Sequence, residues 1–178
     1  MGSNANNATK TATVLGEAYS RELEAEERAT RECLANVPME KADWKPHEKS
    51  MPLGYLAVLV ADIPRWIEHM IEFNVIDFAN YEQFQAKTSD ELVAHFDEAM
   101  KNARKAFAGI TEEILNKKFV LKRGDDILFT SPVGETISST INHLVHHRGQ
   151  LTVYLRLNDK MVPSIYGPSA DVAGFGNL

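Results

Sequence analysis

The chain has 178 residues, 44% of them hydrophobic and 25% charged, with a net charge of −6. That is enough for one domain with a substantial core, in proportions ordinary for a soluble globular protein. The acidic balance, with no basic cluster to offset it, argues against a nucleic-acid partner. No apolar run approaches the roughly 18 residues that span a bilayer, and no charged-then-apolar leader opens the sequence. The single cysteine, Cys33, rules out an internal disulfide and fits a reducing cytoplasm. It falls on the apolar side of a predicted helix, which points to buried packing rather than a reactive thiol.

Residues 1–10 are mostly small and polar and are expected to be disordered; residues 11–178 read as a single domain. A first helix is expected from about Thr11 to Asn36, stopping before Pro38. Its inner line is Leu15, Tyr19, Leu23, Thr30, Cys33, Leu34 and Val37. Glu26 falls in the middle of that line. A carboxylate there is costly unless it is paired or carried to a wet edge, and Arg148, near the centre of the apolar face of its own helix, is the candidate partner.

Met39 to Ser50 form a polar connector with Trp44 and Pro46. A second helix starts at Pro52, with Leu56, Leu59, Ile63, Trp66, Ile67 and Met70 inward and Asp62 on the flank. Pro64 frees the carbonyl of Val60, so a kink is expected. Glu72 to Thr88 read as an irregular crossover. Ser89 is expected to cap a third helix whose buried stripe is Leu92, Phe96, Ala99, Ala103, Ala106 and Ile110. His95 lies at its edge, where a histidine is usually a packed, hydrogen-bonded side chain. Phe119-Val120-Leu121 and Ile127-Leu128-Phe129 flank Arg123-Gly124-Asp125-Asp126, a β-hairpin pattern.

The last helix is expected from about Val133 to Leu157, with Ile137, Ile141, Leu144, Leu151 and Leu155 facing the core. Successive residues turn by about 100°, so His143 and His147 share one flank while His146 points to solvent. Two imidazoles at this spacing can grip one ion. Gly149, inside the helix, is explained by close approach of another helix. Tyr166-Gly167-Pro168-Ser169 reads as a turn folding the tail onto the bundle.

Four long amphipathic helices with a small hairpin before the last of them make an all-α four-helix bundle, a fold that commonly builds metal sites from inward-facing side chains. Other chemistries lack their residues. There is no Gly-x-Ser-x-Gly elbow for a serine hydrolase, no inward Glu-x-x-His pair for a di-iron centre, and no glycine-rich phosphate loop.

The segment from His143 to Asp171, HLVHHRGQLTVYLRLNDKMVPSIYGPSAD, resembles the C-terminal motif of the DinB/YfiT-like family of metalloenzymes. The Trp44–Pro46 connector and the SMPLGYLAVLVADIP stretch extend the likeness over most of residues 12–171. The resemblance implies a homodimer of helical bundles and a divalent metal, of the zinc or nickel class, held by three histidines. Two would be His143 and His147. The third would stand at position 59, which here is Leu59. Asp62, His95 and Glu26 are the candidate replacements; His69, ten residues on, lies about 15 Å further along the helix and cannot simply stand in. The resemblance also implies transfer or isomerisation chemistry with a low-molecular-weight thiol, activated by an open metal position. Leu59 favours the other reading, a small-molecule-binding or stress-associated bundle without turnover.

Overall fold

The computed structural model describes residues 13–174; the segment 1–10 expected to be disordered, and Thr11, lie outside them. Thr13 caps the first helix, α1 (Val14–Ala35), its Oγ1 accepting from Gly16 N at 2.9 Å. The helix thus starts later than expected, and Leu15 is exposed rather than inward. The reason is local. α1 meets the chain near Ile110 through Gly16, where a Cβ would lie 2.1 Å from the Ile110 methyl, and Thr13 N donates to Ile110 O. Gly16, not Leu15, takes the inward position at this crossing. Leu23, Thr30, Cys33, Leu34 and Val37 are buried as their spacing predicts.

The connector folds back on α2 (Leu53–Phe73) and serves as its cap. No side chain caps this helix. The carbonyls of Trp44 and Ala42 instead accept from Leu53 N and Gly54 N, both at 2.8 Å, satisfying first-turn amides that would otherwise lack partners. Pro64 lies inside α2 and does not interrupt it. Leu59 and Trp66, expected in the core, are half-buried at the edge of a cavity, while Asp62 is buried.

The crossover is more ordered than its composition suggests. Asn74 adopts a left-handed conformation (φ 56°) that ends α2 and turns the chain into strand β1 (Val75–Asp77). β1 runs parallel to β2 (Lys118–Arg123), Val75 opposite Val120, and β2 pairs antiparallel with β3 (Asp126–Pro132). The expected hairpin is therefore two strands of a three-stranded sheet, ordered β1-β2-β3. Three residues are too short to display alternation, which is why β1 left no trace in the sequence pattern.

Thr88, one residue before the expected Ser89, caps α3 (Ser89–Ala108), accepting from Glu91 N at 3.2 Å. Glu91 reaches back to accept from Lys87 N at 2.6 Å, tying the segment before the cap to the first turn. A one-turn helix, α4 (Glu112–Leu115), precedes the sheet, and α5 (Val133–Leu157) has its expected bounds. Among the described residues the four long helices expected are thus joined by one single-turn helix and a small three-stranded sheet. α2 packs against α3 and α5, and α1 against the same pair, so α1 and α2 sit diagonally. Among the described residues no helix is long and apolar enough to cross a membrane.

Candidate functional site

His143 and His147 do meet on one flank of α5. Their ring centroids are 4.4 Å apart and their Nε2 atoms 2.7 Å apart. His147 Nδ1 lies 2.7 Å from Gln150 Oε1. A carboxamide oxygen only accepts, so Nδ1 of His147 carries the proton and its Nε2 lone pair faces His143, whose Nε2–H donates to it. Burial, and then the neighbouring His147 and His146, hold His143 below the ordinary histidine range, which favours its neutral form. Two ligands at about 2.05 Å from a tetrahedral ion would have nitrogens about 3.3 Å apart, so the pair, now at 2.7 Å, would have to open by about 0.6 Å to hold one. His146 is exposed, as expected.

The third ligand does not materialise. Trp66 packs against His143 at 5.7 Å, and Tyr154 Oη donates to Met51 O near the other end of the same helix pair. Along α2 Leu59 lies between these two contacts, as His147 does along α5. At the position where the resemblance implies a third imidazole, Leu59 offers an isobutyl group with no lone pair. Among the described residues no three His, Cys, Asp or Glu side chains converge on a point that could hold a metal. The residues present do not make a three-ligand site.

The three candidate replacements are each engaged elsewhere. Asp62 is the centre of a polar network: Oδ1 accepts from His95 Nε2 at 2.7 Å and faces Arg65 at 3.7 Å. Oδ2 accepts from Tyr81 Oη at 2.7 Å and Trp66 Nε1 at 3.2 Å. A carboxylate has about four lone-pair positions, and all have a donor or a cation before them. Burial alone would raise this carboxyl, but the hydrogen bonds from His95 and Tyr81 and the charges of His95 and Arg65 outweigh it and hold Asp62 below its usual range. Burial, with the Asp62 hydrogen bond, pushes the Tyr81 hydroxyl strongly upward, so it stays a donor. His95 is also stacked on Phe84, ring centroids 3.7 Å apart.

Glu26 is committed on the other side of α5. Its Oε2 pairs with Arg148 Nη1 at 2.5 Å, and both carboxylate oxygens accept from Tyr166 Oη, at 2.9 and 3.0 Å. Arg148 also donates to Thr30 Oγ1 and the Glu26 carbonyl. The sequence-level pairing of Glu26 with Arg148 holds, and Arg148 anchors the tail through Tyr166 at 2.9 Å. Gly149 differs from its expectation. It is exposed, and a Cβ there would meet nothing within 4 Å, so no helix approaches it among the described residues. Cys33 is fully buried and burial pushes its thiol up to about 12, which fits a packing role.

Between α2 and the crossover lies a cavity of about 340 Å³. α2 contributes Tyr55, Val58, Leu59, Asp62 and Trp66; the crossover contributes Phe78, Tyr81 and Gln83; Arg123 closes it from the end of β2. Its wall is held shut by the Asp62 network, and Arg65 lies over the Tyr81 ring at 4.7 Å while donating to Glu82 O. Sequence reasoning missed Tyr81, Phe84 and Arg123 because an irregular crossover and a strand end carry no periodic signal. Gln150, one helical turn from His147, could have been found from i, i+3 spacing.

The sequence profile of the DinB family matches residues 4–173, so the chain belongs to the DinB family. Among solved structures, a DinB-like protein from Bacillus subtilis superposes with a TM-score of 0.65 at 18% identity, over 82% of this chain and 96% of its own. A DinB-like protein from Bacillus cereus gives 0.65 at 20% identity, over 84% and 97%. At these identities the likeness carries the fold alone. No curated protein sequence matches the chain.

Proposed function

We propose that this chain is a small-molecule-binding member of the DinB family, using the cavity between α2 and the crossover, and that it works without a complete metal site and without turnover. The observation that supports this is Leu59. It replaces the imidazole that the resemblance implies at position 59 with a side chain that has no lone pair, and it lines a partly apolar cavity of the size that small ligands occupy. Nearby polar groups are already satisfied, as in a binding wall rather than a set of open ligand positions.

A second reading keeps the metal and the thiol-transfer chemistry of the resemblance. His143 and His147 favour it, because their Nε2 atoms face one another and Gln150 fixes the tautomer of His147. Homodimer formation belongs to either reading and is read by sedimentation.

Metal analysis of the natural chain and of Leu59→His, purified without chelator, separates the two readings. Substoichiometric metal in the natural chain, with one divalent ion bound by Leu59→His, supports the binding reading. One ion per natural chain, lost in His147→Ala, overturns it in favour of a metal-dependent enzyme.

A further inference from the structure

Among the described residues, the α2–crossover cavity has one charged side chain with no protein partner, Arg123. The cavity's carboxylate, Asp62, is surrounded by Tyr81, Trp66, His95 and Arg65. Asp126 stands opposite Arg123 in the sheet but makes no ion pair with it among the described residues, and Asp77, opposite Lys122, is committed as well. It accepts from Gly124 N at 2.9 Å and Ala79 N at 3.0 Å, and pairs with Lys122 at 3.5 Å. Arg123 sits between Lys122 and Gly124 in sequence and lines the cavity, yet makes no ion pair or side-chain hydrogen bond among the described residues. The surfaces beside it are flat and aromatic: Tyr55, Trp66, Phe78 and Tyr81.

A guanidinium is a planar fork of donors that matches a carboxylate, and aromatic walls accept a flat apolar body. An uncharged ligand would gain little from Arg123; a cationic one would be repelled by it. We infer that the cavity takes an aromatic carboxylate, its ring among Tyr55, Trp66 and Phe78 and its anionic head at Arg123, with the Gln83 amide as a neutral second donor. This inference rests on the proposed binding function and names the ligand class for the same cavity.

The test is calorimetric titration with 1-naphthylacetate and 1-naphthylacetamide, which share a ring system and differ in the head. The natural chain should bind the acetate about tenfold more tightly, the size expected of one charge-assisted contact at a partly exposed site. In Arg123→Gln the two should bind within about twofold of each other, and in Leu59→Trp, which fills the cavity, both should weaken. Arg123 is exposed at a strand end, so its replacement leaves the core untouched. Equal affinities in the natural chain, or a preference that survives Arg123→Gln, overturn the carboxylate inference. If the equal affinities are both lost in Leu59→Trp, the cavity still binds small molecules and only the ligand class falls. If neither probe binds, or Leu59→Trp changes nothing, the binding reading falls with it.

Discussion

Tyr81 Oη lies 2.7 Å from Asp62 Oδ2, a contact between residues nineteen apart that fastens the crossover to the second helix. Removing the hydroxyl leaves one acceptor of a buried carboxylate unmet while Trp66, His95 and Arg65 remain. Tyr81→Phe is therefore expected to cost about 1–2 kcal/mol. Hydrogen exchange should show the loss concentrated in residues 78–86, with the α1 amides unchanged. Uniform loss of protection would mean the contact is part of the global core rather than a local fastening.

The Glu26–Arg148 pair gives a larger effect. Arg148 is 1% exposed and Glu26 8%. Arg148→Ala strands a buried carboxylate and should cost about 3–5 kcal/mol in urea unfolding. Glu26→Leu/Arg148→Met, which removes both charges, should recover most of that loss. A double variant as unstable as Arg148→Ala would show that packing, not the unpaired charge, sets the cost.

Two glycines on the helices should respond in opposite directions. Gly16→Ala forces a Cβ against Ile110 and is expected to destabilise by about 1–3 kcal/mol. Gly149→Ala meets open space inside a helix and should stabilise by up to about 1 kcal/mol. Thermal melting of the two variants checks both. A destabilised Gly149→Ala would reveal a surface packed on α5 in solution, and sedimentation of that variant would show whether a second copy provides it.

The pH dependence follows from two lowered groups. His143 titrates below its ordinary value of about 6.5, so the unfolded chain binds this proton first. Its contribution to stability is complete above that value and falls as pH drops through the lower folded one. Asp62 behaves likewise further down: its contribution is complete above about pH 4 and is lost as pH falls through its lowered folded value. Denaturation midpoints at pH 7.5, 6 and 5 should decline less in His143→Gln than in the natural chain. Equal slopes would count against neutral His143 in the folded state.

Much of the architecture was legible because long helices repeat their signal. Val133–Leu157 emerged with correct bounds from the spacing of Ile137, Ile141, Leu144, Leu151 and Leu155. The histidine pair followed from angle alone, and Glu26 with Arg148 from two charges misplaced on apolar stripes. What failed were features set by contact rather than period. Leu15 has the right spacing to be buried, but the glycine beside it sets how closely the chain near Ile110 can approach. β1 exists because β2 is there to pair with it. The cavity wall depends on Tyr81 and Phe84, whose partners Asp62 and His95 lie on other elements.

The bond from Tyr166 to Glu26 joins residues 140 apart, and that from Arg148 to the Glu26 carbonyl joins residues 122 apart. Contacts of such separation carry the greatest loop-closure cost and form after local ones. A nascent chain that has delivered α1, α2 and α3 still holds Glu26 on its buried stripe without its counterion. The first helix can be fully desolvated only after the last has been synthesised, so the order of folding is written into one acid and one base.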